Sequence, residues 1–143
     1  MVEDKGEVRF IGVVESAGDP SRIRVYPEFC QALLGIEGYS HLIVLYWFHL
    51  RDDEGHRRTL RVTPPRHDGA PLTGVFACRS PSRPNPIGLT VVELEGVDRC
   101  KLEVSGLDAF EGSPVVDIKP YSPRGDMVPE AETPDWSGRG PPT

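Results

Sequence analysis

Proline and glycine interrupt this chain so often that few windows could hold a long amphipathic helix without meeting one of them. There are 15 of each in 143 residues, well above average usage. A proline inside a helix removes a backbone donor and collides with the preceding turn, and a glycine there costs about 1 kcal/mol relative to alanine. Much of the chain is therefore turn and loop, and the core is expected to be all-β or β-rich. A chain of this length suits one domain that buries about two-thirds of its unfolded surface. Disulfides are then not needed to make up for a thin core. Cys30, Cys78 and Cys100 are an odd, widely spaced set with no CxxC pair or Cys/His ligand cluster. They read as three reduced thiols, and no metal is expected.

The strands are legible from their β-branched and aromatic content. "VRFIGVVES", 8–16, is a first strand, and "RIRVY", 22–26, a short half-buried one. "PEFCQALLGIEG", 27–38, reads as one short helix, with Pro27 in its first turn and Gly35 or Gly38 at its end. "SHLIVLYWFHL", 40–50, is the most apolar run and reads as a central strand. "RDDEGHRR" is a solvated hairpin tip or loop, "TLRVTP" a further strand, and "TVVELEGV", "KLEVSGL" and "PVVDIKPY" complete the set. About seven short strands separated by turns suggest a β-barrel, with a sandwich as the alternative. From Ser122 the chain is rich in Pro, Gly and acids, so the domain is expected to span 1–123, with a loosely structured tail over 124–143.

No run approaches the ~18 apolar residues of a membrane span. The first residues, Met-Val-Glu-Asp-Lys-Gly, are polar and acidic rather than a signal peptide. The expectation is a cytoplasmic protein without a membrane partner. The net charge of −6 argues against indiscriminate nucleic-acid binding, which runs on phosphate neutralisation, but allows a local basic patch.

"GVFACRSPSRPNPIGLTVVEL", 74–94, is the stretch most suited to chemistry. Pro81, Pro84 and Pro86 restrict their own φ and their predecessors, and Gly88 allows a turn beyond them. A stiff loop loses little entropy when it clamps a ligand. Arg79 and Arg83 offer planar forks for a carboxylate or phosphate, and Asn85 offers both donor and acceptor. The competing reading is a rigid surface connection with solvated arginines. In "VSGLDAFEGSPVVDIKPYSP", 104–123, strand alternation puts Asp117, Lys119 and Tyr121 on one face. That face is either a site or an exposed strand surface with a salt bridge, and on its own the salt bridge is favoured. His41 and His49 flank the apolar strand and read as separately satisfied histidines, with His49 kept as a candidate at the strand end. His56 and His67 lie in charged loops and carry no signal. No Walker motif, nucleophile elbow or dinucleotide fingerprint appears, which disfavours a doubly wound enzyme.

"GVFACRSPSRPNPIGLT" followed by "VSGLDAFEGSPVVDIKPYSP" resembles the TsaA-like, or TrmO, family, and "IGVVES" and "GIEGYSHLIVLYWFH" agree with it. The resemblance runs from about Val8 to Pro123. It implies a single-sheeted β-barrel that dimerises, binds S-adenosylmethionine and methylates N6 of threonylcarbamoyladenosine at position 37 of certain tRNAs. By position it implies cofactor contacts from Phe48, His49, Leu50, Arg79 and Leu89 and from Ser105, Gly106, Leu107 and Asp108. Arg83, Asn85 and Pro86 match the family motif and are expected to shape the same pocket, with Lys119 and Tyr121 expected on the substrate side; a proton must leave the attacking nitrogen, and Asp108 or Asp117 is the candidate acceptor.

Two departures from the family stand out. The segment after the first strand, "ESAGDPSRIRVYP", is short and lacks the PRQ-like stretch that helps hold the cofactor in several members, leaving Arg22 or Arg24 as substitutes. Bacterial tRNA-modifying members also have a C-terminal extension beyond the barrel, and the expectation here is a chain without one. Three functions follow: a tRNA methyltransferase with a patch from Arg51, Arg57, Arg58, Arg61 and Arg66, a methyltransferase of a small metabolite, or a non-catalytic S-adenosylmethionine-binding protein.

Overall fold

A computed structural model describes residues 4–141. They form two compact units. One comprises the chain up to Trp47 together with Leu89–Pro123, and the other comprises Phe48–Gly88 and the chain from Arg124 onward.

The first unit holds a closed antiparallel barrel of six strands. In chain order these are β1 (Gly12–Ser16), β2 (Ser21–Val25), β3 (His41–Trp47), β6 (Ile87–Asp98), β7 (Lys101–Ser105) and β8 (Pro114–Pro120), and around the barrel the order is β1-β2-β7-β6-β3-β8. Closure leaves no unpaired sheet edge. The expected barrel is there, with six strands in place of about seven. The remaining strands, β4 (Arg61–Val62) and β5 (Thr73–Gly74), pair with each other as a separate ribbon.

Strand alternation decides what the barrel encloses. Val14, Ile23, Val25, Leu42, Val44, Val92, Leu102, Val104 and Val115 point inward and are buried. Each such side chain contributes about 1.5–3 kcal/mol when removed from water. Along β3 the residues between them, Ile43, Leu45 and Trp47, face outward and are only half-buried. This is why "SHLIVLYWFHL" reads as continuously apolar: Trp47 is covered on the outside by Phe10, ring to ring at 5.5 Å. The glycine of "IGVVES" has a steric cause. A Cβ on Gly12 would overlap the carbonyl oxygen of Arg24 across the β1–β2 pair.

Three expectations need correction. The segment 27–38 is not one α-helix but two 3-10 turns, Pro27–Leu33 and Ile36–Gly38, broken by Gly35 at φ 88°. "RDDEGHRR" is not all loop: it contains a one-turn helix, α1 (Glu54–Arg57), capped by Asp53, whose carboxylate accepts from the His56 amide. The cysteines are not three thiols. Cys30 and Cys100 form a disulfide, their Cα atoms 5.3 Å apart, and Cys78 is free. The barrel brings the 3-10 segment after β2 to the β6–β7 turn, a proximity that a spacing of 70 residues conceals.

The chain after Ser122 contains two short helical turns and is exposed over most of its length. In the second unit it forms α2 (Pro123–Asp126) and a 3-10 turn at Asp135–Gly138. Trp136 stacks edge-on against His67 at 5.5 Å, the His67 ring nitrogen donates to the Arg139 carbonyl, and the Arg139 guanidinium donates to the Asp68 carbonyl at 3.0 Å. One tryptophan supplies the apolar area that the rest of the segment lacks.

Candidate functional site

The proline-rich loop between β5 and β6 belongs to the second unit, and its own arginines are put to different uses. Arg83 turns back on the loop, donating to the carbonyls of Cys78 and Ser80, both at 3.1 Å. Arg57, on α1, reaches across to donate to the Pro84 carbonyl at 2.9 Å and to the Asn85 side chain at 3.4 Å, while pairing with Asp52 at 3.1 Å. Arg51 donates to the Ser82 hydroxyl, and the Phe48 amide donates to the Pro86 carbonyl at 2.7 Å. Prolines supply no amide donors, so loop carbonyls are satisfied by guanidinium groups instead. Ser82 and Pro86 are buried as a result.

Arg79 is the exception. It is exposed, and its guanidinium makes no hydrogen bond or ion pair with any described residue. A braced loop thus presents one uncommitted planar fork suited to a carboxylate or phosphate. The two arginines that looked alike in the sequence are separated: Arg83 braces, and Arg79 is presented. Asn85 is engaged by Arg57 rather than left open. His49 opens a 3-10 turn, His49–Arg51, directly after Phe48, and Leu50 on that turn is exposed.

The other expected residues lie in the first unit. Leu89 faces outward from β6 and is 42% exposed. Ser105 ends β7, and its hydroxyl donates to Glu95 at 2.7 Å. Gly106 follows at φ 88°, a left-handed conformation that favours glycine, with open space where a Cβ would project. Its amide donates to Asp19 at 3.2 Å. Asp108 is held through its backbone: its carbonyl accepts from the Tyr46 hydroxyl at 2.6 Å. The single phenolic proton is committed there, so Thr90, 3.0 Å from the same oxygen, must donate to it. Tyr46 is buried in the barrel, and this pair of bonds ties β3 and β6 to the Asp108 segment.

Asp117 and Lys119 form a salt bridge at 2.9 Å with both side chains about half exposed, which is the plain reading of that strand face. Tyr121 stacks edge-on with His41, whose Nδ1 is 2.8 Å from the Ser40 hydroxyl. A groove of about 670 Å³ in the first unit is lined by Glu37, Tyr39, Glu95 and Val97 among others. It contains carboxylates and no cation, which suits it poorly to an anionic ligand, and none of the expected site residues lines it.

Sequence reasoning missed Tyr46, and it put Arg57 in a tRNA patch without seeing its role as the brace of the loop. Tyr46 left a signal, as the one inward-facing position of the apolar run with a polar tip. Arg57 left none, because one arginine in "HRR" looks like another until the chain folds. Charge is segregated too. Phe48–Gly88 carries seven arginines and no lysine against four carboxylates, whereas the remainder has twice as many carboxylates as cations.

Residues 13–127 match the family model described as the tRNA-methyltransferase O N-terminal domain. An S-adenosyl-L-methionine-binding protein of Archaeoglobus fulgidus is 50% identical over 112 residues, covering 78% of this chain and 76% of its own. A tRNA (adenine(37)-N6)-methyltransferase of Escherichia coli is 45% identical over 125 residues, but the chain spans only 52% of that protein. Among solved structures, a crystal structure of TrmO superposes with a TM-score of 0.71 at 34% identity, covering 90% of this chain and 63% of that one. With a family-model match over residues 13–127, most of its length, the chain belongs to the family of tRNA-methyltransferase O N-terminal domains.

Proposed function

We propose that this protein is an S-adenosylmethionine-dependent methyltransferase whose acceptor is N6 of threonylcarbamoyladenosine at position 37 of tRNA. The observation that carries the reading is the braced loop Arg79–Pro86 with its uncommitted guanidinium, in a family whose relatives are named for S-adenosylmethionine binding and for tRNA adenine-37 methylation. Arg79 fits the cofactor's carboxylate, Leu89 offers it apolar surface, and Gly106 leaves room for close approach. His49 and Leu50 on the turn after β3, with Phe48 and with Ser105, Leu107 and Asp108 after β7, complete the proposed cofactor contacts.

Bound S-adenosylmethionine supplies a methyl group on a sulfonium, which needs little further activation. The protein's task is then mostly alignment of nucleophile, methyl carbon and sulfur. The braced loop supplies a surface that does not have to be ordered at the moment of reaction. A proton must also leave the attacking nitrogen. Asp108 or Asp117 takes that proton in this reading, and the Lys119 ammonium sits beside the Asp117 carboxylate at 2.9 Å. Tyr46 sets where Asp108 sits by fixing its carbonyl. Lys119 and Tyr121 belong to the substrate side in this reading, and the protein acts as a homodimer, which sedimentation velocity tests.

The test is thermal unfolding with and without S-adenosylmethionine, with ATP as control, followed by labelled-methyl transfer to tRNA lacking the modification. Ligand at a hundredfold excess over its Kd adds about 2.7 kcal/mol, a rise of roughly 5 to 10 °C for a domain of this size. Binding without transfer to tRNA would favour a second reading, a binding protein without turnover. The Archaeoglobus fulgidus relative, named only for binding and matched over three quarters of its length, gives that reading its support.

A further inference from the structure

We propose that the ribbon of β4 and β5 and the turn after it form a stacking platform for an unpaired RNA base, with Phe76 as the platform and Arg61 as its phosphate partner. This rests on the tRNA reading above and adds a recognition surface to it.

The ribbon pairs Arg61 with Gly74 and Val62 with Thr73. Thr73 and Val75 are buried, whereas their neighbours Leu72, Gly74 and Phe76 are exposed. Phe76 sits on a 3-10 turn, Val75–Ala77, and is 82% exposed, while Leu72 is 61% exposed. A phenyl ring in water at that exposure gains nothing for the fold. Between the two, Gly74 has no side chain, and a Cβ there would meet only the Leu60 carbonyl at 3.9 Å. Two exposed apolar side chains thus flank a residue that has none. Arg61 stands across the strand from Gly74, exposed, and its guanidinium has no partner among the described residues.

Charge selects the occupant. This platform lies in Phe48–Gly88, where cations outnumber carboxylates and all of them are arginines. Guanidinium groups both neutralise phosphates and stack on bases. An exposed aromatic on the same short segment as an arginine's strand partner matches the way proteins hold unstacked bases of single-stranded RNA, where stacking contributes about 1–3 kcal/mol per base and tolerates any base. A base in a tRNA anticodon loop is of that kind. A second copy of this chain would bring its own arginines to the same face, which disfavours self-association there.

The experiment uses the full chain, a stem-loop RNA with a seven-nucleotide loop, and a blunt duplex of the same length. Binding is read by fluorescence anisotropy across a salt series, and 2-aminopurine in the loop reports stacking. Phe76→Ala is expected to weaken stem-loop binding about tenfold and leave duplex binding unchanged, in keeping with ~1–3 kcal/mol per stacked base. The 2-aminopurine quenching should disappear in Phe76→Ala and persist in Phe76→Trp. Arg61→Ala should weaken both RNAs alike and reduce the salt slope by about one. If the wild type binds the stem-loop and Phe76→Ala binds and quenches equally well, the platform is wrong while the tRNA reading stands. If Phe76→Ala converts a dimer to a monomer in sedimentation, the face is an interface between copies and the proposal fails. If the wild type binds neither RNA, the tRNA reading fails and takes the platform with it. An S-adenosylmethionine-induced thermal shift in each variant shows that the rest of the protein is intact.

Discussion

Reducing the Cys30–Cys100 bridge should cost this protein a large part of its stability. The bridge closes a loop of 70 residues, nearly half the chain. In the chain-entropy account, releasing a loop of that size returns about 4 kcal/mol of conformational freedom to the unfolded state. Native small domains have only about 5–15 kcal/mol in total. For a chain of this length each kcal/mol shifts Tm by a few degrees, so reduction is expected to lower Tm by roughly 10 °C. The fold should nevertheless persist, because the barrel closes through its own strand pairing. The bridge only pins the Pro27–Leu33 turn to the β6–β7 turn, where the Val25 amide also donates to the Cys100 carbonyl at 2.8 Å. The assay is thermal unfolding with and without a thiol reductant, alongside thiol counting in denaturant. One reactive thiol, Cys78, is expected before reduction and three after. The double variant Cys30→Ser/Cys100→Ser should match the reduced protein and be insensitive to reductant. Three reactive thiols in protein purified without reductant, or an unchanged Tm on reduction, would refute the reasoning.

Arg79→Ala should weaken S-adenosylmethionine binding by about 10- to 100-fold, the loss of one charge-assisted contact, while leaving the ligand-free Tm unchanged, as calorimetry would show. Tyr46→Phe strands the Asp108 carbonyl and the Thr90 hydroxyl, and should cost about 1–3 kcal/mol in urea unfolding and raise amide exchange around Asp108. Arg57→Ala removes the brace from Pro84 and Asn85, and hydrogen exchange should rise across the few non-proline amides of Arg79–Ile87. Hydrogen bonds from the His56 amide and ring hold the Asp53 carboxyl below its ordinary value. Its folded pKa is depressed, so its stabilisation of α1 is fully present above the ordinary aspartate value of about 3.9 and is lost as pH falls through the lower folded value. Carboxyl NMR titration of the wild type should show Asp53 titrating below its ordinary value, and Asp53→Asn should flatten the acid limb of unfolding measured against pH.

The sequence by itself determined the class of fold. Glycine and proline at short intervals exclude long helices, and alternating patterns such as "RIRVY" and "KLEVS" place Ile23, Val25, Leu102 and Val104 inward before any coordinates are known. It also determined where chemistry is concentrated, since three prolines within six residues stiffen a loop by local sterics alone. Tertiary structure decided the rest, because the rest depends on which distant groups meet. Arg79 and Arg83 have the same side chain and the same local context. Only the fold shows that Arg83 is spent on the carbonyls of Cys78 and Ser80, and that Arg57 arrives from α1 to hold Pro84. Likewise a separation of 70 residues says nothing of a 5.3 Å approach between Cys30 and Cys100, and the composition of the last twenty residues says nothing of Trp136 meeting His67. Periodicity and backbone restriction are local properties and survive in the sequence. Hydrogen-bond partnership and proximity are created by folding, because they depend on distances through space rather than along the chain.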